Sequence, residues 1–485
     1  MTRRLAALAA LTALAGCSLE PKDLRPELPV APSWPVGDAY LRQTEAALPS
    51  VSYAQVFQDR RLQAIIGEAL VNNRDLRVAA ADILAARAQY RIQRADLFPE
   101  LDAGARVTRS GGGTGGSNSA NRGVTSYALD ASVSSFELDL FGRVRSLTRA
   151  AQDRYFAQEA AARTTRLALV AEVASGWLTY AADRSLLNVA QATANSASAT
   201  VRLTRARLNG GIAPRSDLDQ AETVLATAEA DLAQQRTALA QDVNALTLLV
   251  GAPVDPALLP SDIETAAPTV APIPAGLDSR VLLRRPDVVQ AEYNLRAYNA
   301  EIGAARADLF PRITLTGLVG LASTALTSLF TGGAFNYSAG AGAAYPIFRA
   351  GAGRAEVAYS QAERDAALAS YERTIQTAFR EVSDALARRG TIADQLGAVR
   401  RNVAAASDTL RLVSARYQGG IDPFLTTLDA QRTLYSTQRT LVATQLTEAQ
   451  NLVTLYQVLG GDSTLDATAA GPTLLSTRPT PPPQR

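Results

Sequence analysis

Ala95-Asp96-Leu97-Phe98-Pro99 returns about two hundred residues later as Ala307-Asp308-Leu309-Phe310-Pro311. Each copy closes a helix-like segment and opens a strand-like one, because proline disfavours helix in the residue before it. A second pair keeps nearly the same offset: Arg207-Leu208-Asn209-Gly210-Gly211-Ile212-Ala213-Pro214 and Arg416-Tyr417-Gln418-Gly419-Gly420-Ile421-Asp422-Pro423. The chain is therefore two copies of one unit. Such a repeat suits a tube or an array better than an enzyme with a single asymmetric cleft.

Each unit reads as helix, two strands, long helix, shorter helix. The first repeat, 51–250, predicts helices at about 51–97, 143–208 and 214–250 around strands at about 100–138. The second, 286–461, predicts helices at about 286–309, 352–418 and 423–459 around strands at about 312–346. In 101–107 and 127–133 the odd positions are apolar and the even ones polar or small. Ile313, Leu315, Val319 and Leu321 alternate in the same way, as do Phe335, Tyr337 and Tyr345. The Gly/Ser/Asn-rich stretch Ser110 to Gly123 reads as an exposed loop. Its run Gly111-Gly112-Gly113-Thr114-Gly115-Gly116 lacks the Lys-Ser/Thr ending of a phosphate loop.

The long helices, near 100 Å at about 1.5 Å per residue, point to coiled-coil-like packing. Leu167, Val170, Ala171, Ala174 and Leu178 fall on one face. Each long helix stops at a Gly-Gly pair, and a proline opens the returning helix. Two short helices stacked end to end match one long helix in length. The proline-rich stretch 251–285 joins the repeats. The tail 462–485 is expected to be disordered.

Arg3, Arg4 and the short apolar run Leu5 to Leu14 form a secretory signal over 1–16. Leu14-Ala15-Gly16-Cys17 resembles the lipobox of bacterial lipoproteins, which implies cleavage before Cys17 and lipid attachment there. Ser18 follows in place of the Asp that often marks inner-membrane retention, so outer-membrane sorting is expected. The leader 17–50 is proline-rich and extended. Cys17 is the single cysteine, so no intramolecular disulfide framework exists. With no histidine, imidazole zinc sites and the commonest general base are absent. A net charge of +2 offers no basic surface for nucleic acid. No cofactor or metal site is expected, and carboxylates scattered on helix faces suggest no catalytic residues.

Four alternating strands cannot close a barrel, and lipid tolerates no open sheet edge. Two copies give eight strands, a barrel filled by its own side chains, whereas three give twelve and leave a lumen. The apolar odd residues would face lipid. Asp102, Arg106, Asp130, Thr314, Asn336 and Ser338 would face the lumen.

The chain resembles the TolC-like outer membrane efflux proteins, in particular their lipid-anchored NodT-type branch that serves RND pumps. The resemblance is carried by Phe136-Glu137-Leu138-Asp139-Leu140-Phe141-Gly142-Arg143, by Leu283-Arg284-Arg285-Pro286-Asp287-Val288 and by Ala304 to Pro311. Tyr345-Pro346-Ile347-Phe348, Leu428-Asp429-Ala430-Gln431 and Leu455 to Gly461 add to it. It implies a mixed α and β membrane protein: a homotrimer whose twelve-stranded outer-membrane β-barrel, four strands per chain, continues as a twelve-helix periplasmic α-barrel with an equatorial α/β belt. It also implies a passive exit duct for small molecules, joined to a periplasmic adaptor and driven by an inner-membrane RND transporter. By motif, Leu425 and Asp429 correspond to the apolar and acidic constrictions of the periplasmic gate, and Thr426 stands where some relatives carry another acid. Arg432 is placed to bond Asp429 or a neighbour. Arg207, Gly210 and Gly211, with Arg416, Gly419 and Gly420, are the expected adaptor-docking tips; the two arginines equally suit helix capping. A type I secretion duct and a non-conducting lipid-anchored periplasmic scaffold remain as alternative readings.

Overall fold

The computed structural model describes residues 19–22, 28–37, 39–40, 51–111, 124–273 and 278–474. The signal segment, Cys17 and most of the Ser110–Gly123 loop lie outside the described residues. The first repeat holds α1 (Tyr53–Val56), α2 (Arg60–Asn72), α3 (Arg74–Ala95), β1 (Asp102–Ser110), β2 (Val124–Glu137), α4 (Arg143–Asn209) and α5 (Arg215–Val250). Between the repeats lie 3-10 turns at Pro256–Leu258, Ala267–Thr269 and Ser279–Arg284 and the one-turn α6 (Ile263–Ala266). The second repeat holds α7 (Pro286–Ala307), β3 (Arg312–Ser323), β4 (Phe335–Ala344), α8 (Ala352–Gln418) and α9 (Phe424–Val458). Two short strands follow, β5 (Leu465–Asp466) and β6 (Thr473–Leu474).

Two expectations are corrected. The helical stretch expected at 51–97 is three helices. Asn73 ends α2 and opens α3: its side-chain oxygen accepts from the Leu76 N–H at 3.0 Å, and its amide donates to the Leu249 carbonyl at 2.8 Å. Asparagine is a strong N-cap, and its bond to a helix end far along the chain makes the break a packing feature. Residues 462–474 of the tail are ordered, and 475–485 lie outside the described residues. Asp462 accepts from Arg166 at 2.6 and 3.1 Å and from the Tyr456 hydroxyl at 3.0 Å, Leu465 is buried, and β5 pairs antiparallel with β6. Those contacts offset the ordering entropy that composition alone leaves unopposed.

The chain divides into two compact units, and both draw on both repeats. The spatial division therefore does not follow the duplication: each unit collects elements from both repeats.

The first unit comprises 1–27, 82–158 and 290–371. Its sheet runs β1-β2-β3-β4, antiparallel throughout, so the repeats meet where β2 pairs with β3. Below the strands, Ala150 of α4 packs on Ala297 and Ala300 of α7, which lets the backbones approach closely. Described parts of the leader strap this unit. The Leu19 and Pro21 carbonyls accept from Arg306 at 3.1 Å and Asn299 at 3.0 Å, and Glu20 pairs with Arg149.

The second unit comprises 28–81, 159–289 and 372–485. Its core gathers Leu62, Ile65 and Ile66 of α2, Val170, Ala174 and Trp177 of α4, and Leu246 of α5. Ile263, Val270 and Ile273 of the inter-repeat stretch and Val453 and Tyr456 of α9 complete it. The proline-rich linker is thus a belt wrapped on mid-helix, held by its own apolar residues.

Candidate functional site

The pairing register decides which side chains share a sheet face, since directly opposed residues project to the same side. Asp102 opposes Ser132, Asp130 opposes both Gly104 and Gly320, and Arg106 opposes Ala128. Thr314 opposes Glu137 and Gly342, Asn336 opposes Gly320, and Ser338 opposes Leu318. All six expected lumen residues therefore lie on one face, with glycines between them. The other face presents Val107, Leu129, Val319, Phe335 and Tyr337, all exposed. An exposed, continuous apolar sheet face on strands of 9 to 14 residues suits the hydrocarbon band of an outer-membrane barrel. Among the described residues no helix is long and apolar enough to cross a membrane.

One feature of the sheet escaped the alternation. A bulge between Val133 and Phe136 shifts the parity of β2, so Phe136 opposes Leu315 on the apolar face and Glu137 joins the polar one. The signal was present as Ser134-Ser135, where the alternation stops. Glu137 then binds Arg143 at the start of α4 through two bonds of 2.9 and 2.6 Å.

At the far end of the long helices the two tips share one geometry. Gly211 and Gly420 take left-handed backbone at φ 72° and 75°. The Ile212 N–H reaches back to the Arg207 carbonyl at 3.0 Å, and the Ile421 N–H to the Arg416 carbonyl at 2.9 Å. Any side chain at either second glycine is strained there. The arginines differ. Arg416 forms a bidentate pair with Asp422 at 2.7 and 2.9 Å, which holds the Asp422 carboxyl below its ordinary range. The first repeat has Ala213 in place of Asp422, and Arg207 instead lies over the Tyr417 ring at 4.6 Å and donates to the Tyr417 carbonyl at 3.3 Å. Arg207 thus ties the α4/α5 tip to the α8/α9 tip. The Tyr435 hydroxyl donates to Asp231 at 2.8 Å and makes a second tie; burial and that carboxylate push the phenol up to about 12.

Phe424 and Leu428 turn into a small core with Val201, Ala221 and Tyr417. Leu425, Asp429 and Arg432 occupy the opposite, exposed stripe of α9. No ion pair joins Asp429 to Arg432 among the described residues, which leaves a neighbour as the other partner the sequence allowed.

An outer membrane efflux protein family match covers residues 65–252 and 277–461. The chain belongs to the outer membrane efflux protein family. It is 45% identical over 466 residues to the antibiotic efflux pump outer membrane protein ArpC of Pseudomonas putida, covering 95% of this chain and 96% of that one. The same identity and coverage hold for the toluene efflux pump outer membrane protein TtgC of Pseudomonas putida. The open-state MtrE outer membrane channel of Neisseria gonorrhoeae superposes with a TM-score of 0.81 at 33% identity, over 93% of this chain and all of that one. The fold is that of these outer-membrane channels. The protein is an outer-membrane efflux component and not an enzyme.

One charge pair of this efflux protein lay outside the motifs. The carboxyls of Asp183 of α4 and Asp242 of α5 face each other, half-buried. Burial, with Asp183 beside it, pushes the Asp242 carboxyl up to about 6. An unfolded Asp titrates near 3.9, so the folded state holds the proton more tightly. Stability from this pair is full below about pH 4 and is lost as pH rises toward about 6. Asp242→Asn is expected to melt higher than wild type at pH 7.5 and equally near pH 4. Parallel melting curves across that range would contradict the tightly held proton.

Proposed function

We propose that three copies of this chain close a twelve-stranded barrel, continue it as a twelve-helix periplasmic tunnel, and serve as the exit duct of a tripartite RND-type efflux pump. The observation that supports this reading is the sheet itself: four strands, two open edges, one apolar exposed face and one polar face. Lipid demands closure of such edges. The polar face, with Asp102, Arg106, Asp130, Thr314, Asn336 and Ser338, lines the lumen. Cys17 carries the lipid that holds the leader at the outer membrane. Leu425 and Asp429 form stacked rings at the periplasmic end, with Arg432 beside them. The tips at Gly210-Gly211 and Gly419-Gly420 dock a periplasmic adaptor, and an inner-membrane transporter supplies the energy. Small apolar toxic compounds are the substrate class, by analogy with the antibiotic and toluene pumps of the relatives.

Deletion of the chain tests this reading in its own cell. Cells lacking it are expected to accumulate an apolar fluorescent dye several-fold above wild type, and a plasmid copy is expected to restore export. Unchanged dye levels together with a lost secreted protein would assign the duct to type I secretion. Unchanged dye and secretion would favour the scaffold.

A further inference from the structure

Inside one chain the repeats meet at the β2–β3 seam. Glu137 pairs with Thr314 there, and Phe136 with Leu315. Just beyond the strand ends, the rings of Phe141 and Phe310 stack with centroids 4.7 Å apart and planes 18° from parallel. Phe310 belongs to the repeated Ala-Asp-Leu-Phe-Pro string, so its counterpart in the first repeat is Phe98. Phe141 lies four residues past the end of β2, and Phe348 lies four past the end of β4. These counterparts are 64% and 87% exposed in the single chain. The backbone shows the same asymmetry: β2 and β3 are paired on both sides, β1 and β4 on one.

We propose that Phe348 of one protomer stacks on Phe98 of the next, and that this stack fixes β4 against β1 in the register Ala344 to Asp102. The inference rests on the trimeric reading above and adds the seam. Asp102 and Thr314 each stand three residues after the repeated proline, and Ala344 and Glu137 each end a strand. The pair Glu137–Thr314 therefore translates into Ala344–Asp102. From there Ala341 opposes Ala105, Ala339 opposes Val107, and Asn336 opposes Ser110, so every β1 residue finds a partner in β4. Even positions meet even ones, and the polar face runs across the seam unbroken. A one-residue slip sends each polar residue to the wrong face. A two-residue slip keeps the faces but moves the rings about 7 Å past each other. The stack is what separates these registers. Arg143 also crosses the intrachain seam to Asp308 at 3.7 Å; Ala350 stands in its place in the second repeat, so the seam between protomers lacks that ion pair and depends more heavily on the rings.

Cysteine pairs read the register directly. Opposed residues of an antiparallel pair lie about 4.5–5.5 Å apart at Cα, inside the range a disulfide spans. The full-length chain would carry Ala105→Cys with Ala341→Cys, or the slipped pairs Ala103→Cys with Ala341→Cys and Ala105→Cys with Ala343→Cys. Single substitutions and the native chain control for Cys17. After oxidation in membranes and denaturing electrophoresis, the first pair is expected to give covalent dimers and trimers, about tenfold more than either slipped pair. Adding Phe348→Ala is expected to narrow that ratio by letting slipped registers form. A slipped pair that links best overturns the register, and a ratio unmoved by Phe348→Ala overturns the role of the stack. A native mass of three chains without any link overturns the seam, whereas a native mass of one chain overturns the trimeric reading beneath it.

Discussion

Arg285→Ala is expected to destabilise the folded protein by about 3–5 kcal/mol, the range for removing one partner of a buried ion pair. Arg285 is 8% exposed. Its guanidinium binds Asp287 at 3.0 and 2.7 Å and Glu381 at 2.9 Å, and donates to the Val458 carbonyl at 3.0 Å. One side chain thus joins the start of α7, the middle of α8 and the last turn of α9. Burial works against its charge, yet the two carboxylates hold the guanidinium above its ordinary range. Truncation leaves two carboxylates facing each other and a helix-end carbonyl without its donor. A lysine cannot reproduce the fork, so Arg285→Lys is expected to recover less than half of the loss. Melting followed by circular dichroism in detergent checks this, with an expected fall of about 3–5 °C for the alanine variant. A fall under about 2 °C would mean that the network is spectator chemistry.

Asp429→Ala combined with Leu425→Ala is expected to raise the mean current per channel about tenfold, through a higher open probability. In the proposed trimer each residue would form a ring of three, one apolar and one acidic, and constrictions of that kind set both gating and cation preference. Leu425 is 58% exposed in the single chain and Asp429 lies one turn further along the same stripe, so neither is needed by the chain's own core. Loss of about 1.4 kcal/mol of closure moves an equilibrium tenfold. Cation selectivity is expected to drop in the Asp429→Ala single variant, because the charge is gone. Unchanged current and selectivity in both variants would place the constriction elsewhere on α9. The ties from Arg207 to Tyr417 and from Tyr435 to Asp231 hold the hairpins together at this end, so their removal would be expected to act in the same direction.

The duplication made much of the fold legible. Ala-Asp-Leu-Phe-Pro marked the helix-to-strand transitions, and Gly-Gly followed by proline marked the hairpin tips to within a residue or two. Period-two alternation placed the six polar sheet residues on one face, because pleat geometry leaves little else to decide. What stayed hidden was set by partners distant in sequence. Asn73 breaks a continuous helical pattern because a carbonyl 176 residues away accepts its amide. Leu283-Arg284-Arg285-Pro286-Asp287 was readable as a motif, but its role needed Glu381 and Val458 beside it. The Asp183–Asp242 pair carries no spacing signal, since its members sit on different helices. Arg207 and Arg416 looked equivalent, and only Ala213 against Asp422 separates their contacts. Asp429 and Arg432 had helical spacing that allowed a bond, yet no ion pair joins them among the described residues.

Native mass and single-channel current of the purified full-length chain in planar bilayers decide whether the protein is a gated conduit. A mass of three chains with small, flickering currents is the predicted result. A single chain, or three chains that stay silent even with Leu425 and Asp429 replaced, would contradict a gated conduit.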